Sequence, residues 1–312
     1  MNPLIIIAGP TAVGKSALAI QLAKRINGSV ISADSMQVYK GMDIGTAKIT
    51  TDEMQGIPHY LIDVLEPSES FNVVKFKEMA EDAIGAIKRS GCIPIMVGGT
   101  GFYIQSVLYD IDFDETFEDD GTRSDLWDII ATKGAGFVHS ILEKEDPRAA
   151  AMIHENDHKR MIRAIEYHRQ TNKLISEHNV NCAKISPYDA LYFFLEDDRD
   201  KIYERINRRV DDMVSAGLCD EVSHLRDIGL KKEDVSMQGI GYKQIMEYLD
   251  GECTLEDAIY RIKRDSRHFA KRQITWSKRE KDIIRIDIRQ ADVLDKLLNE
   301  IRKKGIINEQ SV

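Results

Sequence analysis

The stretch LIIIAGPTAVGKS, residues 4–16, decides the fold that we expect for this chain. Its last eight residues, GPTAVGKS, match the pattern G-x-x-x-x-G-K-[ST] of a loop that wraps around phosphate groups. Glycine-rich backbone in such a loop offers N–H groups to phosphate oxygens, Lys15 adds positive charge, and the Ser16 hydroxyl suits a magnesium ion. The motif therefore selects phosphates and not a nucleobase, although most chains that carry it bind ATP or GTP.

The residues around this loop predict a parallel sheet. Before it, the apolar run from Leu4 to Ala8 indicates a buried strand, and after it apolar residues recur at helical spacing as far as Ile26. Further strands are predicted at residues 29–33, 59–62, 93–97, 191–196 and 283–288, with helical patterns between them. This alternation predicts an α/β fold like that of P-loop NTPases, a mostly parallel sheet with helices on both faces.

The middle of the chain departs from the strand–helix alternation. Nine acidic residues but only one basic residue, Arg123, lie between Asp110 and Asp128, and the sequence from there to about residue 187 is typical of helices and loops. We therefore expect a P-loop-like core at residues 1–112 and 190–312 and a helical insertion domain at residues 113–189. The apolar residues expected in the core of the insertion are Ile153, Met161, Ile162, Ile165 and Leu174.

Composition limits the possible functions. The 312 residues carry 43 basic and 52 acidic side chains, a formal net charge of −9, so any RNA contact needs a local basic surface. The four cysteines form no C-x-x-C pair, which argues against a zinc module or a disulfide framework. No stretch approaches the roughly 20 apolar residues that span a bilayer, and the apolar run in MNPLIIIAG is far shorter than a secretory core, with no basic residue before it. We expect a cytoplasmic protein that does not contact membranes.

Polar residues follow the predicted strands where each strand ends. The second strand leads into Asp34 and Ser35, and the strand IPIMV leads into Gly98-Gly99-Thr100. Because ligands bind at the carboxyl ends of parallel strands, we expect Asp34 and Thr100 near the bound phosphates. Each residue also has a purely structural interpretation, since an aspartate can bond the backbone of a turn and a threonine can cap a helix.

Basic residues form three groups. Eight lysines or arginines but only one acid, Asp265, lie between Arg261 and Arg279. The smaller groups are Lys159, Arg160 and Arg163 in the insertion, and Arg205, Arg208 and Arg209 on a later helix. Each group indicates either a face that contacts nucleic acid or phosphate, or an ordinary solvated helix face.

A nucleotide kinase or hydrolase would place an aspartate at the end of an apolar strand to hold magnesium and water. The segment HYLID offers Asp63, but the more apolar strand IPIMV ends in Gly-Gly-Thr, and the guanine-reading motif N-K-x-D is absent. The sequence neither selects nor excludes a purine nucleoside triphosphate.

Six motifs together resemble one family. They are GPTAVGKS (9–16), ADSMQVYKGMDIGTAK (33–48), VGGTGFY (97–103), NDHKRMIRAIE (156–166), QGIGYK (238–243) and AKRQITW (270–276). In this order and spacing they resemble the tRNA dimethylallyltransferases, also called isopentenyl-tRNA transferases, over nearly the whole chain. The resemblance implies transfer of the dimethylallyl group from dimethylallyl diphosphate to the exocyclic N6 amine of the adenosine 3′-adjacent to the anticodon in tRNA, with release of pyrophosphate.

The resemblance also implies roles for individual residues. Asp34 is similar to the base that accepts the amine proton, Thr100 to a hydroxyl near the pyrophosphate and the flipped base, and Lys15, Arg205 and Arg209 to groups that stabilise the leaving pyrophosphate. The expected diphosphate-binding residues are Gly9, Pro10, Thr11, Ala12, Val13, Gly14, Lys15 and Ser16, with Mg2+ at Ser16. The expected tRNA contacts are Asp34, Ser35, Met36, Gln37, Thr100, Arg123, Lys159, Arg160, Met161, Ile162, Arg163, Gln238, Gly239, Ile240, Gly241, Tyr242, Lys243, Lys271 and Arg272.

Three other functions stay open on the sequence. One is a prenyltransferase that acts on free AMP, ADP or ATP, but members of that group look shorter and lack much of the insertion. The others are a small-molecule kinase that uses the loop for ATP and a non-catalytic RNA-binding protein gated by nucleotide. The insertion and the basic helix favour tRNA as the acceptor, and we expect the enzyme to act as a monomer.

Overall fold

The computed structural model describes residues 1–111, 120–177, 185–280 and 282–308. Within these residues the strands form one sheet in the order β3-β2-β4-β1-β5-β6, and every neighbouring pair is parallel. The strands are β1 (Pro3–Ala8), β2 (Gly28–Ala33), β3 (His59–Tyr60), β4 (Ile93–Gly98), β5 (Asp189–Glu196) and β6 (Ile283–Asp287). All six were predicted from the sequence, although β3 is shorter than expected.

Helices follow the strands as the periodicity predicts. The α-helices of the described residues are α1 (Lys15–Ile26), α2 (Thr51–Met54), α3 (Val73–Arg89), α4 (Gly101–Leu108), α5 (Thr122–Lys133), α6 (Ala135–Glu145), α7 (Pro147–Met152), α8 (His158–Thr171), α9 (Arg199–Ser215), α10 (Leu218–Asp227), α11 (Tyr242–Leu249), α12 (Leu255–Ser277) and α13 (Val293–Lys303). Six of the eight basic residues between Arg261 and Arg279 lie on α12, and the Thr254 hydroxyl accepts a hydrogen bond from the Asp257 N–H as the N-cap of this helix.

The sheet is covered on both faces. Along β1, Leu4 and Ile6 belong to one buried apolar cluster, while Ile5 and Ile7 belong to another on the opposite face. This alternation is the period of two expected of a strand, and burial of both faces explains why β1 reads as a continuous apolar run. The predicted α/β class is therefore confirmed.

The chain divides into two compact units, residues 1–110 with 186–312, and residues 111–185. The predicted insertion boundaries, 113 and 189, lie two and four residues later. In the second unit α5 to α8 enclose a core of their own, to which Ile153, Met161 and Ile165 contribute as predicted. Part of the acidic stretch, residues 112–119, lies outside the described residues.

Strand order determines which loops are neighbours. Because β4 lies between β2 and β1, the segments after these three strands meet at one edge of the sheet. Asp63, in contrast, follows the edge strand β3, which is separated from β1 by β2 and β4, and its carboxylate accepts a hydrogen bond from Lys48 at 2.5 Å. Asp63, the aspartate considered above for a hydrolase, is therefore remote from the phosphate loop.

In the part of the chain that the structure describes, no helix is both long enough and apolar enough to cross a membrane.

Candidate active site

The phosphate loop connects β1 to α1 and leaves the start of the helix open. Gly14, the residue before α1, has φ of 97°, a left-handed conformation that glycine adopts without strain, and no side chain caps the helix. The loop is also tightly packed, since a Cβ on Gly9 would lie 2.9 Å from the Leu195 carbonyl oxygen. Uncapped N–H groups at a helix N-terminus attract anions, so the loop has the form of a phosphate site.

Lys15 bends back over this loop. Its Nζ donates to the carbonyl oxygens of Gly9 at 3.1 Å and Pro10 at 2.9 Å. Burial is the main cause that lowers the pKa of Lys15 to about 8; the Arg209 charge lowers it further and the Asp34 carboxylate opposes the shift. The lysine therefore carries its charge near neutral pH but holds its proton less tightly than usual.

Two arginines on α9 reach the same loop. Arg205 Nε donates to the Ala12 carbonyl oxygen at 2.8 Å, and its Nη2 donates at 2.5 Å to Asp197, whose side chain is only 2% exposed. One turn later, Arg209 Nη1 lies 3.4 Å from Thr11 Oγ1, and burial followed by repulsion from Arg205 lowers the pKa of Arg209. Positive charge therefore converges on the loop, as an anionic ligand requires.

Asp34 follows β2 and bonds a turn. Its Oδ1 accepts from the backbone N–H of Met36 at 2.9 Å and of Gln37 at 3.4 Å. The carboxylate also opposes part of the lowering of the pKa of Lys15 and of Arg209, so it lies within electrostatic reach of the phosphate loop. The structural interpretation of Asp34 is correct for one oxygen, and among the described residues the other oxygen makes no hydrogen bond.

Thr100 is the N-cap residue of α4, but its side chain makes no capping hydrogen bond. The Thr100 hydroxyl therefore does not make the hydrogen bond that a purely structural role as a helix cap would require. β4 pairs with β1, which leads into the phosphate loop, and with β2, which leads into Asp34. Thr100 follows β4 and therefore lies at the strand end between those two.

Gln273 of α12 belongs to the motif AKRQITW, but the sequence analysis assigned it no role in the site. Its Oε1 accepts from the Thr11 N–H at 2.8 Å and its Nε2 donates to the Gly99 carbonyl oxygen at 3.1 Å, so one buried amide joins two loops. A Cβ on Gly99 would lie 1.9 Å from this Nε2, and one on Gly101 would lie 2.2 Å from the Trp276 ring. The glycines around Thr100 are required by the close approach of α12.

A buried scaffold supports the segment after Asp34. Glu221 accepts hydrogen bonds from the backbone N–H groups of Asp43, Ile44 and Gly45 at 2.8 to 3.0 Å, and from the Tyr242 hydroxyl at 2.6 Å. Tyr242 is fully buried, and a Cβ on Gly45 would clash with its ring. Because the Tyr242 ring packs inside the protein, the predicted tRNA contact at this position falls to the backbone and not to the ring.

The QGIGYK segment also meets the residues after Asp34. A Cβ on Gly239 would lie 2.6 Å from Met36 Cε, so these two predicted tRNA contacts touch each other. Gln238 and Lys243 are exposed, Ser35, Gln37 and Ile240 are partly exposed, and Gly241 is buried.

The basic residues of α12 fall into two halves. Arg261, Lys263 and Arg264 form ion pairs with Glu247, Asp211 and Asp265, and Arg267 donates to Asn207. Lys271 and Arg272 are exposed and form no ion pair with any described residue. Lys271 and Arg272 therefore offer exposed charge to a polyanion, whereas Arg267, which is partly exposed, has only a neutral amide as its partner.

In the second unit, some of the predicted tRNA contacts are buried and others are exposed. Met161 and Ile162 are buried in its core, so the predicted tRNA contact at these two positions falls to the backbone and not to the side chains. Lys159, Arg160 and Arg163 are exposed on α8, as is Arg123 on α5.

Ser16 is the residue that we expect at a bound magnesium ion. Within the described ranges, no cluster of three or more His, Cys, Asp or Glu side chains could hold a metal. The Ser16 hydroxyl is exposed in the first turn of α1 and fits the usual magnesium arrangement, in which most ligands are waters and phosphate oxygens.

The parallel sheet, the phosphate loop at its central strand and the cations above that loop define a P-loop-type protein with a site for a phosphate-bearing anion. The sequence model of the family described as IPP transferase matches residues 37–280, more than half of the chain. The chain therefore belongs to the IPP transferase family.

Individual relatives agree over the full length. A tRNA dimethylallyltransferase of Lachnoclostridium phytofermentans is 54% identical and aligns with 98% of this chain and 100% of its own. The tRNA isopentenylpyrophosphate transferase of Bacillus halodurans is 42% identical, with a TM-score of 0.74 and coverage of 98% of this chain and 99% of its own. A eukaryotic dimethylallyltransferase acting on tRNA is 32% identical, with a TM-score of 0.80 over 98% of this chain and 80% of its own.

Proposed function

We propose that this protein is a tRNA dimethylallyltransferase, which moves the dimethylallyl group of dimethylallyl diphosphate to the N6 amine of the adenosine 3′-adjacent to the anticodon. The observation that carries the proposal is the convergence of Lys15, Arg205 and Arg209 on the phosphate loop, with the Asp34 carboxylate within electrostatic reach. This combination suits an anionic leaving group and a proton acceptor. The names of the relatives support the same reaction.

The leaving group is held by the loop and its cations. As the bond between the allylic carbon and the diphosphate oxygen breaks, the electron pair stays on the departing pyrophosphate and its negative charge grows. The open N-terminus of α1, Lys15 and the two arginines stabilise that charge more in the transition state than in the ground state, which accelerates transfer. Bound magnesium, with Ser16 as its protein ligand, would supply further charge neutralisation.

The acceptor amine needs a base. As N6 forms its bond to the allylic carbon it loses one proton, and the Asp34 oxygen that is not engaged in the turn is the group we assign to accept it. Thr100, whose hydroxyl is not used for capping, is assigned to orient the amine or the diphosphate. The adenine must leave its stack to reach these groups, which costs less in a loop than in a duplex.

The tRNA itself is assigned to the exposed basic residues. Lys271 and Arg272 on α12, Lys159, Arg160 and Arg163 on α8, and Arg123 on α5 are each available to backbone phosphates. We expect the enzyme to act as a monomer in the cytoplasm.

ATP chemistry is less well supported. Of the two strands that pair with β1, β4 ends in Gly98-Gly99-Thr100 and not in a carboxylate, while β5 leads into Asp197, whose carboxylate is paired with Arg205. Asp63 lies at the sheet edge in contact with Lys48. None of the three offers a free aspartate beside the loop of the kind that phosphoryl transfer to water or a small molecule uses.

The test is an incubation of the protein with bulk tRNA and either dimethylallyl diphosphate labelled in its alkyl group or ATP labelled in its γ-phosphate. We expect only the alkyl label to enter RNA and to be found on adenosine after digestion to nucleosides. Label transfer from ATP would support a kinase instead. In a parallel incubation, free AMP replaces tRNA as the acceptor. A rate of alkyl transfer to AMP equal to the rate with tRNA would support the prenyltransferase that acts on free nucleotides.

A further inference from the structure

An exposed tryptophan lies on the surface of the unit formed by residues 111–185. Trp127 of α5 is 39% exposed, whereas its neighbour Leu126 is fully buried in the core of this unit. Trp127 does not belong to that core cluster. Its ring makes an edge contact with the ring of His158, the first residue of α8, at 5.9 Å between centroids and 77° between planes.

Basic residues lie near one side of this indole. Arg123 lies one helical turn before Trp127 on the same side of α5. Arg123 and Arg163 both donate to one Glu166 oxygen, at 2.8 Å and 3.2 Å, and the Glu166 side chain is only 8% exposed. The single carboxylate neutralises one of the two guanidiniums and holds both in place. Lys159, exposed beside His158, adds a further cation.

We propose that Trp127 is a stacking platform for an unpaired base of the RNA loop, with Arg123, Lys159 and Arg163 on the flanking backbone phosphates. This inference rests on the proposed tRNA substrate and assigns to Trp127 a contact that the basic residues cannot make. Single-stranded RNA is recognised by aromatic and guanidinium planes that take the place of neighbouring bases, together with cations that neutralise phosphates. A duplex offers no free base face, and Asp125 and Asp128 elsewhere on α5 disfavour a continuous duplex backbone.

The chain allows a direct optical test, because Trp127 and Trp276 are its only tryptophans. In the Trp276→Phe variant, emission reports on Trp127 alone. We expect titration with an anticodon stem–loop RNA to quench this emission in a saturable manner, since stacking on a base quenches indole fluorescence. Unchanged emission at RNA concentrations that saturate binding would contradict the stacking contact.

Affinity provides the second measurement. Trp127→Ala should weaken binding of the stem–loop about tenfold and leave the salt dependence unchanged, because stacking is worth about one decade in affinity and releases no counterions. Arg123→Ala with Lys159→Ala should instead flatten the salt dependence. The matched control is Phe137→Ala, which removes an aromatic side chain that is 44% exposed beside Lys133 in the same unit and should leave affinity unchanged.

The outcomes separate this inference from the proposed function. If Trp127→Ala binds the stem–loop as wild type does, or no more weakly than the Phe137 control, the inference is wrong while alkyl transfer to tRNA still stands. If Trp127→Ala fails to fold by circular dichroism, Trp127→Phe and the quenching measurement decide. Quenching by an acidic peptide but not by RNA would assign the surface to a protein partner and overturn the proposal. Absence of alkyl transfer by the wild-type protein would refute the function itself.

Discussion

The side-chain amide of Gln273 lies 2.8 Å from the backbone nitrogen of Thr11, although the two residues are 262 positions apart in the sequence. Its other end donates to the Gly99 carbonyl oxygen, so a single side chain fixes the phosphate loop relative to the loop that carries Thr100. An amide is required for this arrangement, because one group must accept and the other must donate.

We expect Gln273→Glu to impair catalysis more than Gln273→Met. A glutamate can accept from Thr11 but cannot donate to Gly99, and its charge repels the diphosphate. Each buried polar group left without a partner costs about 1–3 kcal/mol, so both variants should unfold at lower temperature. The measurements are thermal unfolding and KM for dimethylallyl diphosphate. Thr275→Ala, which removes only a hydrogen bond within α12, is the control, and equal KM values in all three variants would contradict the bridging role.

The lowered pKa of Lys15 predicts that diphosphate binding is coupled to the uptake of a proton. Its pKa of about 8 in the free protein should rise when a diphosphate neutralises the surrounding positive charge, so binding at pH 9 should take up a proton. Calorimetry in buffers of different ionisation enthalpy measures this uptake. Lys15→Met should abolish both the uptake and most of the affinity; a variant that still takes up the proton would assign the linkage to another group.

The same pKa predicts the stability of Lys15→Met without ligand. Because the folded pKa is below the usual 10.5, the unfolded chain binds more protons between pH 8 and pH 10.5, and the free energy of unfolding of the wild type rises with pH across that range. Below pH 8 the full cost of the buried charge is present, at most about 3 kcal/mol and nearer 1 kcal/mol for a partly exposed side chain. Lys15→Met should therefore unfold at a higher temperature than wild type at pH 7, with a gain that shrinks towards pH 10.5. A gain independent of pH would point to packing instead.

Lys271→Ala with Arg272→Ala should weaken tRNA binding and reduce the salt slope, since each lost phosphate contact removes counterion release. The matched control is Arg261→Ala with Lys263→Ala on the same helix, whose charges already pair with Glu247 and Asp211. The control should change the salt slope little. Equal salt slopes of tRNA binding in the two double variants would show that Lys271 and Arg272 do not contact phosphates and that this part of α12 is an ordinary solvated face.

Local periodicity predicted the sheet well because each strand is a short apolar run bounded by polar residues. Since both faces of the sheet are buried, it was not necessary to decide which side of a strand faces the core. The same reasoning placed Asp34 and Thr100 at neighbouring strand ends, since parallel strands share one carboxyl edge. Gln273 could not be found in this way. Its role depends on two loops that lie near it only in the folded chain, and a lone glutamine on a helix has no periodic signal.

Tyr242 shows the opposite case. The family resemblance of QGIGYK assigned this residue to tRNA, but the tyrosine ring occupies the space left by Gly45 and its hydroxyl bonds Glu221. Met161 and Ile162 were similarly assigned to RNA by their position in a basic motif, although their helical spacing with Ile165 already indicated the core. Motif membership alone does not separate residues that contact a ligand from residues that support the contact.

The two functions of Asp34 can be separated by Asp34→Asn. Asparagine Oδ1 can still accept from Met36 and Gln37, so the turn and the fold should survive with little change in thermal unfolding. It cannot accept a proton, and a positioned base is typically worth about 10²–10⁴ in rate, so the single-turnover rate at saturating tRNA and dimethylallyl diphosphate should fall by that factor while tRNA affinity is retained. Asp34→Ala is the companion variant, since it loses the turn as well as the base and should reduce stability in addition to rate. A rate for Asp34→Asn within a few-fold of wild type would show that Asp34 serves only to hold the turn and that another group in the site is the base.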